Sequence, residues 1–337
     1  MAKQGVLLMN VGTPLGSDTR SVQDYLSEFL TDKDVINAPW IIRELVFNRY
    51  IVPRRAPFSA KKYQSIWMDE GSPLRVYSQR FADKLQVVMN EDSGNTTVTK
   101  VGMRYGSPSI RQSLQELISE NIDELILVPL YPQFAQATTG SSLNKAYEEI
   151  RKLDYKGKIR TTGEFFDHPD FIESWIDNLS LKINKVDHWL FSFHGLPVKQ
   201  IKSTSGCMAD MNCCATADMS ARRCYRAQCY KTAETLSSRL NLNKSDWSVS
   251  FQSRLGPVKW LEPYTDHTLE KLAKAGVKNL AICAPAFVVD GLETLEEINI
   301  EGTHIFKKHG GENLHYVECL NDSDLWVKRF AKMLNHI

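Results

Sequence analysis

Five acids fall within twelve residues in Asp290-Gly-Leu-Glu293-Thr-Leu-Glu296-Glu297-Ile-Asn-Ile-Glu301. On a helix, Glu293, Glu297 and Glu301 stand four apart and form one ridge, where like charges cost about 0.2–0.5 kcal/mol per pair. The helix dipole offsets that cost only near the start, at Asp290 and Glu293. A solvated acidic face is one explanation. The other is a cleft, where stacked carboxylates bind cations or pass protons and at least one pKa rises. His194 closes the apolar run Trp189-Leu-Phe-Ser-Phe193, and Gly195 and Pro197 turn the chain where the imidazole leaves it. A structural histidine is the plain alternative; the turn suits an exposed base or metal ligand. One His and one Glu from different strand ends hold a metal weakly, as a metal that must be handed on requires. Cys207, Cys213, Cys214, Cys224 and Cys229 crowd into 23 residues, leaving only Cys283 and Cys319 elsewhere. Their spacing lacks the paired knuckles of most zinc sites. Four thiolates in one segment suit an iron–sulfur cluster at least as well, and a thiol-rich loop without metal is the third reading.

The elements that must position these groups are short apolar runs alternating with helical patterns, the signature of βαβ units and parallel sheets. Strands are expected at Gly5–Met9, Thr97–Met103 and Glu124–Leu130, then again at His188–Phe193, Trp247–Phe251 and Asn279–Val289. Two similar α/β halves, 1–165 and 166–337, give the simplest account, with the last helix packing back on the first half. Ligands of open parallel sheets bind beyond the carboxyl ends of the strands. Those ends carry Arg104, Tyr131, His194, Gln252 and Asp290, so the expected site is a cleft between the halves. The segment about 40–75 opens with Trp40-Ile41-Ile42 and Leu45-Val46-Phe47, flanked by Arg43, Arg49, Arg54 and Arg55. It reads as a core-facing helix or as an apolar lip with basic anchors, fit for a membrane surface or a flat, acidic, hydrophobic ligand.

Composition removes several classes. At 337 residues, two domains around separate cores are expected. Hydrophobic residues at 42% and charged residues at 24% exclude a disordered, collagenous or coiled-coil chain. Lys+Arg 41 against Asp+Glu 40 gives a net charge of +1, which argues against nucleic acid as a partner. No apolar run reaches the roughly 18 residues of a membrane span. The apolar run Gly5–Met9 is too short for a secretory signal, so a cytoplasmic location with reduced thiols is expected. Dinucleotide, phosphate-loop and nucleophile-elbow motifs are missing, and no nucleotide cofactor is expected.

Taken in order, these segments resemble the ferrochelatase family, which inserts ferrous iron into a porphyrin. The matching pieces are Leu7-Leu-Met-Asn-Val-Gly-Thr-Pro14, Arg54-Arg55, Gly71-Ser-Pro-Leu74, Gly102-Met-Arg-Tyr-Gly106 and Pro129-Leu-Tyr-Pro-Gln133. Ser192-Phe-His-Gly-Leu-Pro197, Phe251-Gln-Ser-Arg254, Pro285-Ala-Phe287 and the acidic run after Asp290 complete the set. The resemblance covers nearly the whole chain and implies two Rossmann-like domains with a porphyrin cleft between them. It implies that His194 and Glu293 form the pair at the iron site, either His194 or Glu293 being the proton acceptor, with catalytic Glu297 and then Glu301 on an acidic path that relays metal away from it. Arg54 and Arg55 match positions near the porphyrin propionates. Val11, Tyr63, Arg104, Trp260 and Phe287 match positions packed around the macrocycle. Protoporphyrin IX and Fe²⁺ are the implied substrates, with coproporphyrin as the alternative macrocycle. A smaller bacterial group of the family carries an internal cysteine segment like 203–230. That likeness implies a [2Fe–2S] cluster on four of five thiols: Cys207, one of Cys213 and Cys214, Cys224, and Cys229. Peripheral contact with the inner face of a membrane through the lip, and a monomer or a homodimer, are both compatible with the sequence. A non-catalytic haem carrier would not require an acidic ridge opposite a histidine, and a redox sensor would rest on the thiol segment alone.

Overall fold

The computed structural model describes residues 3–33, 35–36, 39–92, 96–180, 186–202, 223–254, 256 and 258–335. The chain divides into two compact units: Met1–Leu130, Gln136–Gly163 and Asp322–Ile337 form one, Tyr131–Ala135 and Glu164–Asn321 the other. In the first unit, β1 (Lys3–Thr13), β2 (Thr96–Gly106), β3 (Glu124–Pro129) and β4 (Lys158–Thr161) make a parallel sheet ordered β2-β1-β3-β4. In the second, β5 (His188–His194), β6 (Trp247–Gln252), β7 (Asn279–Cys283) and β8 (Asn313–Val317) repeat that order as β6-β5-β7-β8. The fold class is therefore α/β with two parallel four-stranded sheets, each flanked by helices.

Each strand order reverses beside its first strand, and the crevice for ligands lies outside the carboxyl ends there. In the first unit this is the end of β1, at Val11 and Gly12. In the second it is the end of β5, at His194 and Gly195. Glycine is required at the first: Gly12 has φ +108°, and a Cβ on it would sit 1.8 Å from the Tyr105 carbonyl oxygen. A Cβ on Gly195 would sit 2.7 Å from the Gln252 carbonyl oxygen, so that turn also tolerates no side chain.

Fully buried runs hold the central strands, as parallel sheets covered on both faces demand. Leu7 and Met9 pack with Ile110, Leu114, Leu117, Leu125 and Leu127 in the first unit. Leu190, Leu280 and Ile282 pack with Leu269, Ile298 and Phe306 in the second. The expected strand Asn279–Val289 stops at Cys283, before Pro285, which has no N–H to give a ladder. The helix Asp324–Asn335 belongs to the first unit, where Trp326 and Phe330 pack on Phe81 with ring centroids 6.2 and 5.4 Å away.

The helix Ser141–Lys152 is fixed by one buried carboxylate. Glu149 is 2% exposed and binds Lys145 and Arg111 at 2.8 Å and Lys152 at 3.0 Å. Burial alone would raise its pKa, but hydrogen bonds from Lys145, Lys152 and Arg111 pull it down to about 2. A depressed carboxyl stabilises above its unfolded value and loses that contribution as pH falls through the folded one. Because the three cations are partly exposed, the contribution is roughly 2 kcal/mol. Urea midpoints between pH 5 and pH 2 should fall less steeply in Glu149→Gln than in the parent; parallel curves would show that Glu149 does not carry this term.

Candidate active site

The second unit gathers the groups around His194. The ring Nδ1 lies 2.6 Å from the Gly195 carbonyl oxygen. A carbonyl only accepts, so Nδ1 carries the proton and Nε2 keeps its lone pair. Burial pushes the imidazole below its usual pKa, with the Glu293 charge pulling the other way. The ring is therefore neutral at pH 7, ready to accept a proton or bind a metal. Phe287 stands edge-on to it, ring centroids 6.2 Å apart. Trp260 packs on the same turn, through a backbone bridge between its residue and Pro197.

The acidic run follows β7 as a π-helix, Leu292–Glu301. In an α-helix every fourth residue drifts about 40° around the axis, and the wider i→i+5 turn changes that offset. Thr294 and Ile298 are buried, and so is Gly302, the first residue of the next helix. This stripe lies one residue on from Glu293, Glu297 and Glu301, so packing the one aligns the other. Asp290 is a different kind of acid. It is 1% exposed and accepts from Thr294 Oγ1 (2.7 Å), the Cys319 N–H (3.2 Å), Asn321 Nδ2 (2.7 Å) and the Tyr316 hydroxyl. All of its capacity goes to holding the start of the π-helix.

Two polar contacts fix the ridge from β6. Gln252 Nε2 donates to the Glu293 carbonyl at 2.8 Å, while its Oε1 accepts from Ser192 Oγ at 2.8 Å. Ser253 adopts φ +66°, rare for a side-chain-bearing residue. That backbone lets its N–H donate to Glu297 Oε1 at 2.8 Å and its hydroxyl donate to Oε2. Burial raises Glu297 to about 7; Ser253 pulls it down, and the Glu293 and Glu301 charges push it up. A carboxyl that titrates at neutral pH can exchange protons with solvent at little cost.

The first unit holds Arg104, Tyr63, Val11, Arg54 and Arg55. Arg104 is paired with Asp32 and donates Nε–H to Ser141 Oγ at 2.9 Å. Tyr63 is buried, edge-on to Tyr25 at 6.5 Å, and the Tyr25 hydroxyl donates to the Gly12 carbonyl at 3.2 Å. Val11 is half-buried beside it, its N–H donating to Asn10 Oδ1 at 2.8 Å. Arg54 and Arg55 are exposed, with the Arg54 guanidinium 3.6 Å from the Tyr50 ring centre. Of the two readings for the 40–47 pattern, the core-facing helix fails. Arg43–Ile51 is wound as a π-helix with no buried residue, and Trp40 and Phe58 are 67% and 73% exposed. Cys224 and Cys229 are fully buried at the start of the helix Tyr225–Arg239, while Cys207, Cys213 and Cys214 lie outside the described residues.

A family model described as Ferrochelatase matches residues 3–336. The chain belongs to the ferrochelatase family. A ferrochelatase of Bdellovibrio bacteriovorus is 45% identical over 339 residues, covering 100% of both chains. Another, from Coxiella burnetii, is 40% identical over 337 residues and covers 98% of this chain and 93% of its own. Among solved structures, SirB from Bacillus subtilis with Fe³⁺ matches with TM-score 0.56 at 9% identity, covering 100% of this chain and 95% of that one. The sirohydrochlorin chelatase SirB from Bacillus subtilis subspecies spizizenii, in complex with cobalt, matches with TM-score 0.53 at 10% identity, covering 99% and 94%. At such identities the likeness shows the fold alone. A ferrochelatase is a metal chelatase whose substrates are a porphyrin and ferrous iron. No helix among the described residues is long and apolar enough to cross a membrane, and those residues contain no cluster of three metal-binding side chains.

Ser253 and Tyr225, whose hydroxyl donates to the His194 carbonyl at 2.8 Å, escape sequence reasoning as supports of the site. Ser253 lies in a matching motif, but nothing local marks its left-handed backbone. The raised Glu297 carries a sign that can be measured. Unfolded, it titrates near 4.5 and folded near 7, so between those values the folded chain holds an extra proton and loses stability as pH rises. Relative to the parent, Glu297→Gln should gain roughly 2 kcal/mol on going from pH 5 to pH 8. Urea unfolding at both pH values checks this, and a difference independent of pH would place the Glu297 pKa outside that window.

Proposed function

We propose that this ferrochelatase inserts Fe²⁺ into protoporphyrin IX and releases two protons, as a haem-forming enzyme of the cytoplasm. The observation that carries the chemistry is the neutral His194, its Nδ1–H spent on Gly195 and its Nε2 lone pair kept. Metallation replaces two pyrrole N–H protons by a dication, so it needs a base, a metal donor and strain that exposes the ring nitrogens. With Glu293, His194 ligates the incoming iron through Nε2, and once the metal has passed to the ring nitrogens that freed lone pair accepts a pyrrole proton. Glu297, titrating near 7, passes protons on, and Glu301 extends the path. Phe287, Trp260, Val11, Tyr63 and Arg104 pack around the macrocycle, and Arg54 and Arg55 pair with propionates.

Support for protoporphyrin comes from the exposed Trp40, Ile41, Leu45 and Phe58. Burying vinyl groups on such a surface is favourable, whereas two further propionates would lose hydration there. The same surface is the part of the chain suited to peripheral membrane contact. The thiol-rich segment would hold a [2Fe–2S] cluster on Cys207, one of Cys213 and Cys214, Cys224, and Cys229. Cys224 and Cys229 are fully buried, which suits sulfur ligands kept from water. Bound, such a cluster would cross-link the segment; iron insertion transfers no electrons and draws no step from it.

An anaerobic assay following loss of porphyrin fluorescence tests the reading. His194→Ala should lower kcat at least about 10³-fold with its circular dichroism unchanged; retained turnover would remove His194 from the chemistry. Protoporphyrin should exceed coproporphyrin roughly tenfold in kcat/KM, and the reverse order would reassign the macrocycle. Purified anaerobically, the parent should show visible iron–sulfur absorption that Cys224→Ser loses. A parent without that absorption holds no cluster.

A further inference from the structure

Strand β5 runs out of neighbours on one side as it reaches His194. Its pairing with β7 stops at Phe191–Cys283. Its pairing with β6 continues to His194–Gln252, and the Gly195 N–H donates to the Gln252 carbonyl at 2.7 Å. Successive residues of a parallel strand turn their backbone groups to opposite neighbours. Gly195 faces β6, so the His194 carbonyl faces the edge where β7 has ended. A buried carbonyl without a strand partner needs another donor.

Tyr225 is that donor. Its hydroxyl gives a 2.8 Å hydrogen bond to the His194 carbonyl, and the residue is 6% exposed at the first position of the helix Tyr225–Arg239. The Cys229 thiol, one helical turn on, makes a further hydrogen bond with that hydroxyl. The next carbonyl along the chain, that of Gly195, takes the His194 Nδ1–H. Both carbonyls that set the imidazole's place are thus held, one by Tyr225 and one by the ring itself. The helix meets the strand end here through a side chain, with no ladder between them.

We propose that Tyr225 is a positioning residue for His194: its hydroxyl fixes the strand end from which the imidazole projects. The inference rests on His194 acting as proton acceptor and iron ligand. A misplacement of about 1 Å at a reacting group costs up to about 10²-fold in rate. Tyr225→Phe removes the hydroxyl and leaves the ring in its packing. We expect kcat to fall about tenfold and KM for Fe²⁺ to rise about fivefold, with KM for porphyrin moving less than about twofold. A purely structural role would lower the melting temperature and leave that split absent. Tyr225→4-aminophenylalanine keeps an N–H donor at the same reach and should bring kcat back to within about threefold of the parent.

Parental kcat and both parental KM values in folded Tyr225→Phe would overturn the proposal, as would equal rises in both KM values. His194→Ala in the same assay separates the two claims. Turnover retained there refutes the role of His194 itself. Loss there with parental Tyr225→Phe refutes only the role of Tyr225. Should Tyr225→Phe not fold, the 4-aminophenylalanine variant carries the test through its weaker donor: KM for Fe²⁺ must rise with KM for porphyrin fixed, and no split overturns the proposal.

Discussion

Keeping three carboxylates in line on one helix, with the middle one half-buried, is the constraint on which the second unit depends. Like charges four apart oppose helix formation, and desolvation opposes charge on Glu297. Neither penalty can be met by the ridge itself, so the neighbouring stripe meets it. Thr294, Ile298 and Gly302 sink into the core, where Ile298 packs with Leu269 and Phe306. Truncating a residue such as Ile298 would cost about 2–5 kcal/mol, more than the like-charge terms combined. Asp290 contributes the other anchor. Its ring of donors ties the first turn to Tyr316 near the end of β8 and to Cys319 and Asn321 just after it.

The two sheets solve a related problem with the same topology. A parallel order that reverses beside the first strand leaves that strand's carboxyl end uncovered, and chemistry-bearing residues gather there. In the first unit the end of β1 is narrowed by Gly12, which lets the Tyr105 carbonyl come close, and the Tyr25 hydroxyl bonds the Gly12 carbonyl. In the second unit Gly195 plays the corresponding steric part next to Gln252. What differs is the residue presented: Val11, an apolar side chain, at one strand end and His194, an imidazole, at the other.

Much of this architecture can be read from the residues, and the exceptions have physical causes. Six of the eight strands declare themselves as continuous apolar runs bounded by turn residues. β4, Lys-Ile-Arg-Thr, and β8, Asn-Leu-His-Tyr-Val, are short edge strands with too few apolar residues to signal. The acidic ridge is readable because charge spacing is local. Its π winding is not, since it answers to core packing and to donors more than twenty residues away. The 40–47 pattern fits both a core face and a lip, and only tertiary exposure decides between them. Arg104 and Tyr63 are legible as candidate contacts, but nothing local in sequence shows that Arg104 pairs with Asp32 or that Tyr63 stands edge-on to Tyr25.

The environments of His194 and Glu297 divide the work that one group could not do alone. Burial lowers the imidazole further below neutrality and raises the carboxyl to about 7, so the two shift in opposite directions from their usual values. A histidine left at its ordinary pKa would spend part of the time protonated, and in the proposed reaction would then repel the incoming dication. A glutamate at its ordinary pKa would hold iron as a full anion and release protons too readily to carry them. By making the imidazole neutral and the carboxyl easily protonated, the same desolvation suits the roles proposed for them, His194 as metal donor and first base and Glu297 as the next proton carrier. Ser253 sets the limit on that shift. Without its two donors on Glu297, nothing would offset burial, and the carboxyl would be pushed higher still.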